Sequence, residues 1–372
     1  MRLKIIFVFL LTLGAPFFLL AQMRKGWSIS PTLHTGFITK HTKKLTIDNS
    51  GISEGIGFNF QYQTYGTKDW HARQHFPQVG IETAFFRFSS YKQLGHAFGL
   101  LPNITLNLKN KKNWRIRTTI GMGIGWLSTH YDPITHPRHN AIGSHLNNYT
   151  SFRFYVEKAW KPQWNWTAGI SFSHFSNGTS QIPNYGLNVP AMVLGFNYAP
   201  TPVLAEDYRF PTQKADFRKW GFFAEASIAR QEYITVGGPK YPIYNLAIAA
   251  SFNENEGNTS FLGMEYEYSY SVYNFFKFLE QFDEKKTKDT GRRLMIFGGH
   301  EFTYGHVGFG AQLGVYLAPY NKHTYNTFYN KLNLKYLFTP FGKKGLKPFL
   351  ALHMKAHLID AEYISAGVGL RW

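Results

Sequence analysis

The residues most able to do chemistry in this 372-residue chain lie in one stretch, from Trp166 to Tyr198. His174 and Ser176 stand two positions apart, so on an extended chain both point to the same side. A hydroxyl beside an imidazole is the core of a serine esterase. The ring takes the hydroxyl proton, the oxygen attacks an ester carbonyl, and a third group holds the ring in the correct tautomer. Asn188 follows after a turn containing Gly178, Pro183, Asn184 and Gly186, and lies within cross-strand reach for that third role.

The elements that must carry these residues show a period of two. Trp166, Ala168, Ile170, Phe172, His174 and Ser176 form one row, and Thr167, Gly169, Ser171, Ser173 and Phe175 form the other. The first row is apolar up to its last two members, which predicts an outward, lipid-facing row with the histidine and serine on the exterior near a strand end. The returning strand repeats this with Asn188, Pro190, Met192, Leu194, Phe196 and Tyr198. Polar groups on a lipid face are unfavourable unless they sit near the interface or have a function.

The same alternation recurs along the chain. Ile120, Met122, Ile124 and Trp126 stand opposite Thr119, Gly121, Gly123 and Gly125, and Phe309, Ala311, Leu313 and Val315 opposite Gly308, Gly310, Gln312 and Gly314. The last segment places Ile364, Ala366, Val368, Leu370 and Trp372 on one face. Segments of this kind number roughly sixteen, an even count expected of an all-β, antiparallel transmembrane barrel. Aromatic residues at 18% against 17% charged fit rings gathered at two membrane boundaries. Residues 1–22 read as a signal peptide, with Arg2 and Lys4 before the apolar run Ile5 to Leu20 and Ala21 at the cleavage point. Residues 23–199 and 218–372 then form two halves of about eight strands each, joined by a proline-bearing connector at 200–217. One continuous barrel is preferred over two, because duplication enlarges a closed sheet without adding edges.

Here a resemblance becomes specific. His174-Phe175-Ser176-Asn177, followed by Pro183-Asn184 and Gly186, resembles the signature of the PagL-like lipid A 3-O-deacylases, acyloxyacyl hydrolase-type outer-membrane barrels with a Ser-His-Glu triad facing the outer leaflet. The likeness covers the first half. It implies His174 as general base, Ser176 as nucleophile, and Asn177 and Asn184 as candidates to hold the oxyanion. It also implies a 3-O-linked acyl chain of lipid A as substrate, lipopolysaccharide and the outer membrane as partners, and no cofactor or metal. The family glutamate falls on Asn188, which can accept the ring N–H bond but cannot balance an imidazolium charge. In the second half, Ala356 and Leu358 take the places of His174 and Ser176, while parity turns His357 inward beside His353 and Lys355; catalysis is expected of the first half alone. The alternative is a non-catalytic pore or lipopolysaccharide-binding structural barrel, and a phospholipase is a third reading.

Other signals carry less. A net charge of +18 suits phosphate-bearing lipid better than nucleic acid in an exported chain. Lys40, Lys43 and Lys44 form one cluster, and Lys285, Lys286, Lys288, Arg292 and Arg293 another; each could equally be a solvated loop. His130, His136 and His139 with Asp132 match no defined metal spacing, and His71 and His75 are set aside with them. Glu82 and Glu157 read as isolated lumen or interface acids. Asn177-Gly178-Thr179 would be a glycosylation acceptor only in a eukaryotic secretory pathway. The chain has no cysteine, which excludes thiol catalysis and disulfides.

Overall fold

The computed structural model describes residues 24–211, 217–233, 235–317, 327–341, 345–358 and 360–372. Residues 1–22, expected to be a signal peptide, lie outside them. The first eight strands are β1 (Trp27–Gly36), β2 (Ser53–Gln63), β3 (Gln78–Arg87), β4 (His96–Asn110), β5 (Trp114–Leu127), β6 (Leu146–Lys161), β7 (Trp164–Ser176) and β8 (Leu187–Tyr198). The second eight are β9 (Trp220–Glu232), β10 (Lys240–Asn255), β11 (Asn258–Ser269), β12 (Arg292–Tyr304), β13 (Val307–Tyr316), β14 (Phe328–Leu337), β15 (Lys347–His357) and β16 (Asp360–Arg371).

These strands close as two antiparallel barrels of eight, not as one of sixteen. β1 pairs with β8, Gly36 opposite Ala191, and β9 pairs with β16, Phe223 opposite Arg371. The single-barrel expectation is therefore corrected, and the lumens give the reason. Eight strands leave an interior just wide enough for side chains to fill. The inward glycines are sockets for large side chains of nearby strands: a Cβ at Gly125 would meet the Phe175 ring at 2.8 Å, and one at Gly314 would overlap the ring of Tyr329, its partner on β14. Ion pairs complete the filling. Glu82 pairs with Arg153, and Glu157 with Arg115 and Arg117, in the first lumen. In the second, Lys331 meets Glu265 at 2.7 Å and Lys355 meets Glu267 at 2.6 Å.

The outward rows follow the period of two. Trp166, Ile170 and Phe172 are exposed on β7, and Met192 and Leu194 on β8. Aromatic rings gather near one end of each barrel, with Trp164 4.4 Å from Tyr198 and Trp220 5.1 Å from Phe252. The opposite end carries the long loops and is called the loop end. Short helices break up several connections: α1 (Asp69–Arg73), α2 (Tyr91–Leu94), α3 (Tyr270–Phe278) and α4 (Glu284–Thr290). In the second basic cluster, Lys286, Lys288 and Arg292 pair with Asp283, Glu284 and Asp289, while Arg293 turns into the lumen.

The loop end of the first barrel is sealed by an apolar plug. Ile38, Leu45 and Ile47 from the loop after β1 pack with Phe86, Tyr149, Phe175 and Leu187. Phe175 stacks on Tyr149 at 4.7 Å, its ring pinned inside the barrel between two outward neighbours. Those neighbours are His174 and Ser176.

Candidate active site

His174 lies opposite Asn188 in the β7–β8 register, so their side chains share the exterior face. The ring Nδ1 lies 2.6 Å from Asn188 Oδ1. The amide oxygen can only accept, so Nδ1 carries the proton and Nε2 is left as the free base. Gly186 closes on the other edge of the ring. Its φ is +77°, and a Cβ there would lie 2.9 Å from His174 Cε1, which makes glycine necessary on both counts.

Ser176 is the last residue of β7 and is 1% exposed. Asn184 Nδ2 donates to its Oγ at 2.9 Å, and the Gly178 backbone N–H donates to it at 3.2 Å. Among the described residues no hydrogen bond joins His174 to Ser176. Two strand positions separate their Cα atoms by about 6.6 Å, and such contacts commonly tighten only when substrate binds.

The two asparagines of the turn differ. Asn184 places its Nδ2 against the serine oxygen. Asn177 instead staples the loop, its Nδ2 donating to Ser144 Oγ at 2.9 Å and to Gln181 O at 2.8 Å, so both its protons are used.

Two contributors were missed by sequence reasoning. One is His41, in the loop after β1, whose Nδ1 lies 3.0 Å from Asn188 Nδ2. The other is the second barrel, which grips the loop that follows the serine. Glu232 Oε2 accepts from Ile182 N at 2.6 Å, and Glu232 N donates to Thr179 O at 3.1 Å. Gln231 Nε2 donates to Thr179 Oγ1 at 3.1 Å, and a Cβ at Gly178 would meet Ile364 of β16 at 2.6 Å. No local spacing signals either contact, because both join segments far apart in the chain.

Below the pair, on the exterior wall, Phe37, Ile52, Phe154, Ile170, Pro190 and Met192 line an open apolar groove. Among the described residues the second barrel shows no counterpart to the polar pair. Ala356 is buried at a strand irregularity, Leu358 is exposed, and His357 bonds Tyr316 on the inner side.

His130 Nδ1 donates to Tyr131 O, His139 is fully buried, and His71 is buried under Trp70. Among the described residues no three His, Asp or Glu side chains gather as a metal-ligand set.

A family model described as lipid A 3-O-deacylase (PagL) matches residues 54–197, and one described as acyloxyacyl hydrolase, C-terminal domain, matches residues 219–372. No curated protein matches the sequence. Among solved structures, Neisserial surface protein A (NspA) is 8% identical, with a TM-score of 0.33 over 46% of this chain and 96% of its own. OccK1 (OpdK) of Pseudomonas aeruginosa is 10% identical, with a TM-score of 0.24 over 93% of this chain and 98% of its own. With one family model on each barrel, the chain belongs to the PagL family of lipid A 3-O-deacylases, which are ester hydrolases.

Proposed function

We propose that this chain is an outer-membrane esterase that removes a 3-O-linked acyl chain from lipid A, using Ser176 as nucleophile, His174 as general base and Asn188 to orient the ring. The observation that carries this reading is the 2.6 Å contact between His174 Nδ1 and Asn188 Oδ1, on the exterior of a barrel directly above an apolar groove. It leaves a basic Nε2 on the same face as the serine, where an acyl chain lying along the wall presents its ester.

In the first step the Ser176 proton passes to His174 Nε2 as Oγ bonds to the ester carbonyl carbon. The oxyanion that forms is held by Asn184 Nδ2 and the Gly178 N–H, the two donors already beside Oγ. Collapse breaks the bond to the sugar oxygen, which takes the proton from Nε2. Water, deprotonated by the same nitrogen, then releases the acyl chain as a carboxylate and restores Ser176. Ser176 is covered by Asn184 and Gly178, so the ester reaches it only when this cover shifts. Exposed Lys40, Lys43 and Lys44, beside His41, stand where lipid phosphates would lie.

Both lumens are packed with side chains, which leaves the pore reading without support. The reading is tested by labelling the detergent-solubilised protein with a serine-reactive fluorophosphonate. Labelling that Ser176→Ala abolishes and His174→Ala slows supports it. Labelling unchanged in Ser176→Ala overturns it. Hydrolysis of glycerophospholipid with lipid A left intact would move the protein to a phospholipase.

A further inference from the structure

A carboxylate and an amide are not equivalent partners for a catalytic histidine. Either oxygen of a glutamate can accept the ring N–H, so its rotation does not matter. An asparagine has one oxygen and one NH2 group, and turning it half around would aim a donor at Nδ1. The ring would then keep its proton on Nε2, where it blocks the removal of the serine proton. A site that uses Asn188 therefore needs something to tell the two ends of the amide apart.

His41 is placed to do this. Its Nδ1 lies 3.0 Å from Asn188 Nδ2, and with the ring proton on Nε2 that nitrogen accepts a hydrogen bond that an amide oxygen could not supply. The backbone brings it there. Past the end of β1 the chain continues to pair with β8, with Phe37 N donating to Pro190 O at 3.2 Å and Thr39 N to Asn188 O at 2.9 Å. Two residues further on, His41 reaches the Asn188 side chain. The segment is held by Ile38 in the apolar plug and by Asn140, whose Nδ2 donates to Lys44 O at 2.6 Å and whose Oδ1 accepts from Thr46 N at 2.9 Å.

We propose that His41 is a positioning residue that fixes the rotation of the Asn188 amide, so that an amide does at this site the orienting work of a carboxylate. The inference rests on the Ser176–His174–Asn188 reading above. It predicts a coupling that a merely structural loop residue would not show: His41 matters only while residue 188 is an amide.

The test compares His41→Phe and His41→Gln in the native protein and in Asn188→Glu, measuring kcat and KM on lipid A in mixed micelles, with Ser176→Ala as control. In the native background, His41→Phe lowers kcat at least tenfold with little change in KM, and His41→Gln, which retains an acceptor oxygen, recovers much of the loss. In the Asn188→Glu background the same His41→Phe change costs less than about twofold. An equal loss in both backgrounds, or no loss in the native one, overturns the proposal while leaving the Ser176 reading standing. Turnover that survives Ser176→Ala overturns the reading and the proposal together. A readout independent of turnover is 15N NMR of the imidazoles: His174 holds its proton on Nδ1 in the native protein and becomes a tautomer mixture in His41→Phe. An unchanged His174 tautomer contradicts the proposal.

Discussion

Replacing a carboxylate by an amide in a catalytic relay keeps the acceptor and removes the charge. At Asn188 the acceptor contact is tight, at 2.6 Å, so the ring is oriented; what is missing is stabilisation of the imidazolium formed during attack. Asn188→Glu is accordingly expected to raise kcat several-fold, and Asn188→Ala to lower it by about tenfold or more, as orientation is lost as well. Steady-state turnover on lipid A micelles measures both; a slower Asn188→Glu enzyme would show that the amide has a role beyond orientation. The pair itself was legible in the sequence, because a period of two places His174 and Ser176 on one face whatever the rest of the chain does. The partners of Ser176 were half legible. Asn184 and Asn177 look alike in the sequence, and only the closed loop separates the one beside the hydroxyl from the one bound to Ser144 and Gln181.

At the scale of elements, three loops hold one strand end. The loop 177–186 carries Gly186, whose backbone lies against the His174 ring. Gly186→Ala would bring a methyl to 2.9 Å from Cε1 at a φ unfavourable for any side chain. It is expected to lower kcat by an order of magnitude or more while the barrel's thermal unfolding shifts by only a few degrees. A kcat equal to that of the native protein would contradict the close approach. The loop 129–147 underpins both neighbours: Ala141 O accepts from Gly186 N at 2.8 Å, and Asn140 holds residues 44 and 46. His139 is buried at its base, and burial lowers its pKa to about 4. A histidine kept neutral in this way contributes stability above its ordinary pKa near 6.5, and that stability falls away as the pH drops from there towards 4. The full loss is up to about 3 kcal/mol. Amide exchange in 129–147, corrected for its intrinsic pH dependence, should therefore accelerate between pH 7 and 5, and His139→Leu should flatten that response. Equal protection at both pH values would contradict it. None of these loop contacts was legible, since they join residues up to 96 positions apart with no shared periodicity.

At the scale of the whole molecule, the inward rows decide between one barrel and two. The glycine rows of β5 and β13 were visible in the sequence, but only as one side of an alternation. Their physical content is a narrow lumen whose glycine sockets are filled by Tyr149, Phe175 and Tyr329 from neighbouring strands, whereas sixteen strands would leave an open channel. Two barrels then place an outward residue of one against a loop of the other, and Glu232 binds Ile182 and Thr179 behind the nucleophile. Glu232→Ala is expected to lower kcat at least several-fold with both barrels still folded by heat-modifiable gel mobility. Full activity would show that the second barrel does not support the loop. The central claim is tested most directly by mass spectrometry of lipid A from cells expressing the native chain or Ser176→Ala. The account predicts lipid A lighter by one 3-O-linked acyl chain with the native protein and full-length lipid A with the variant. Lipid A unchanged by the native protein, or shortened equally by Ser176→Ala, would contradict it.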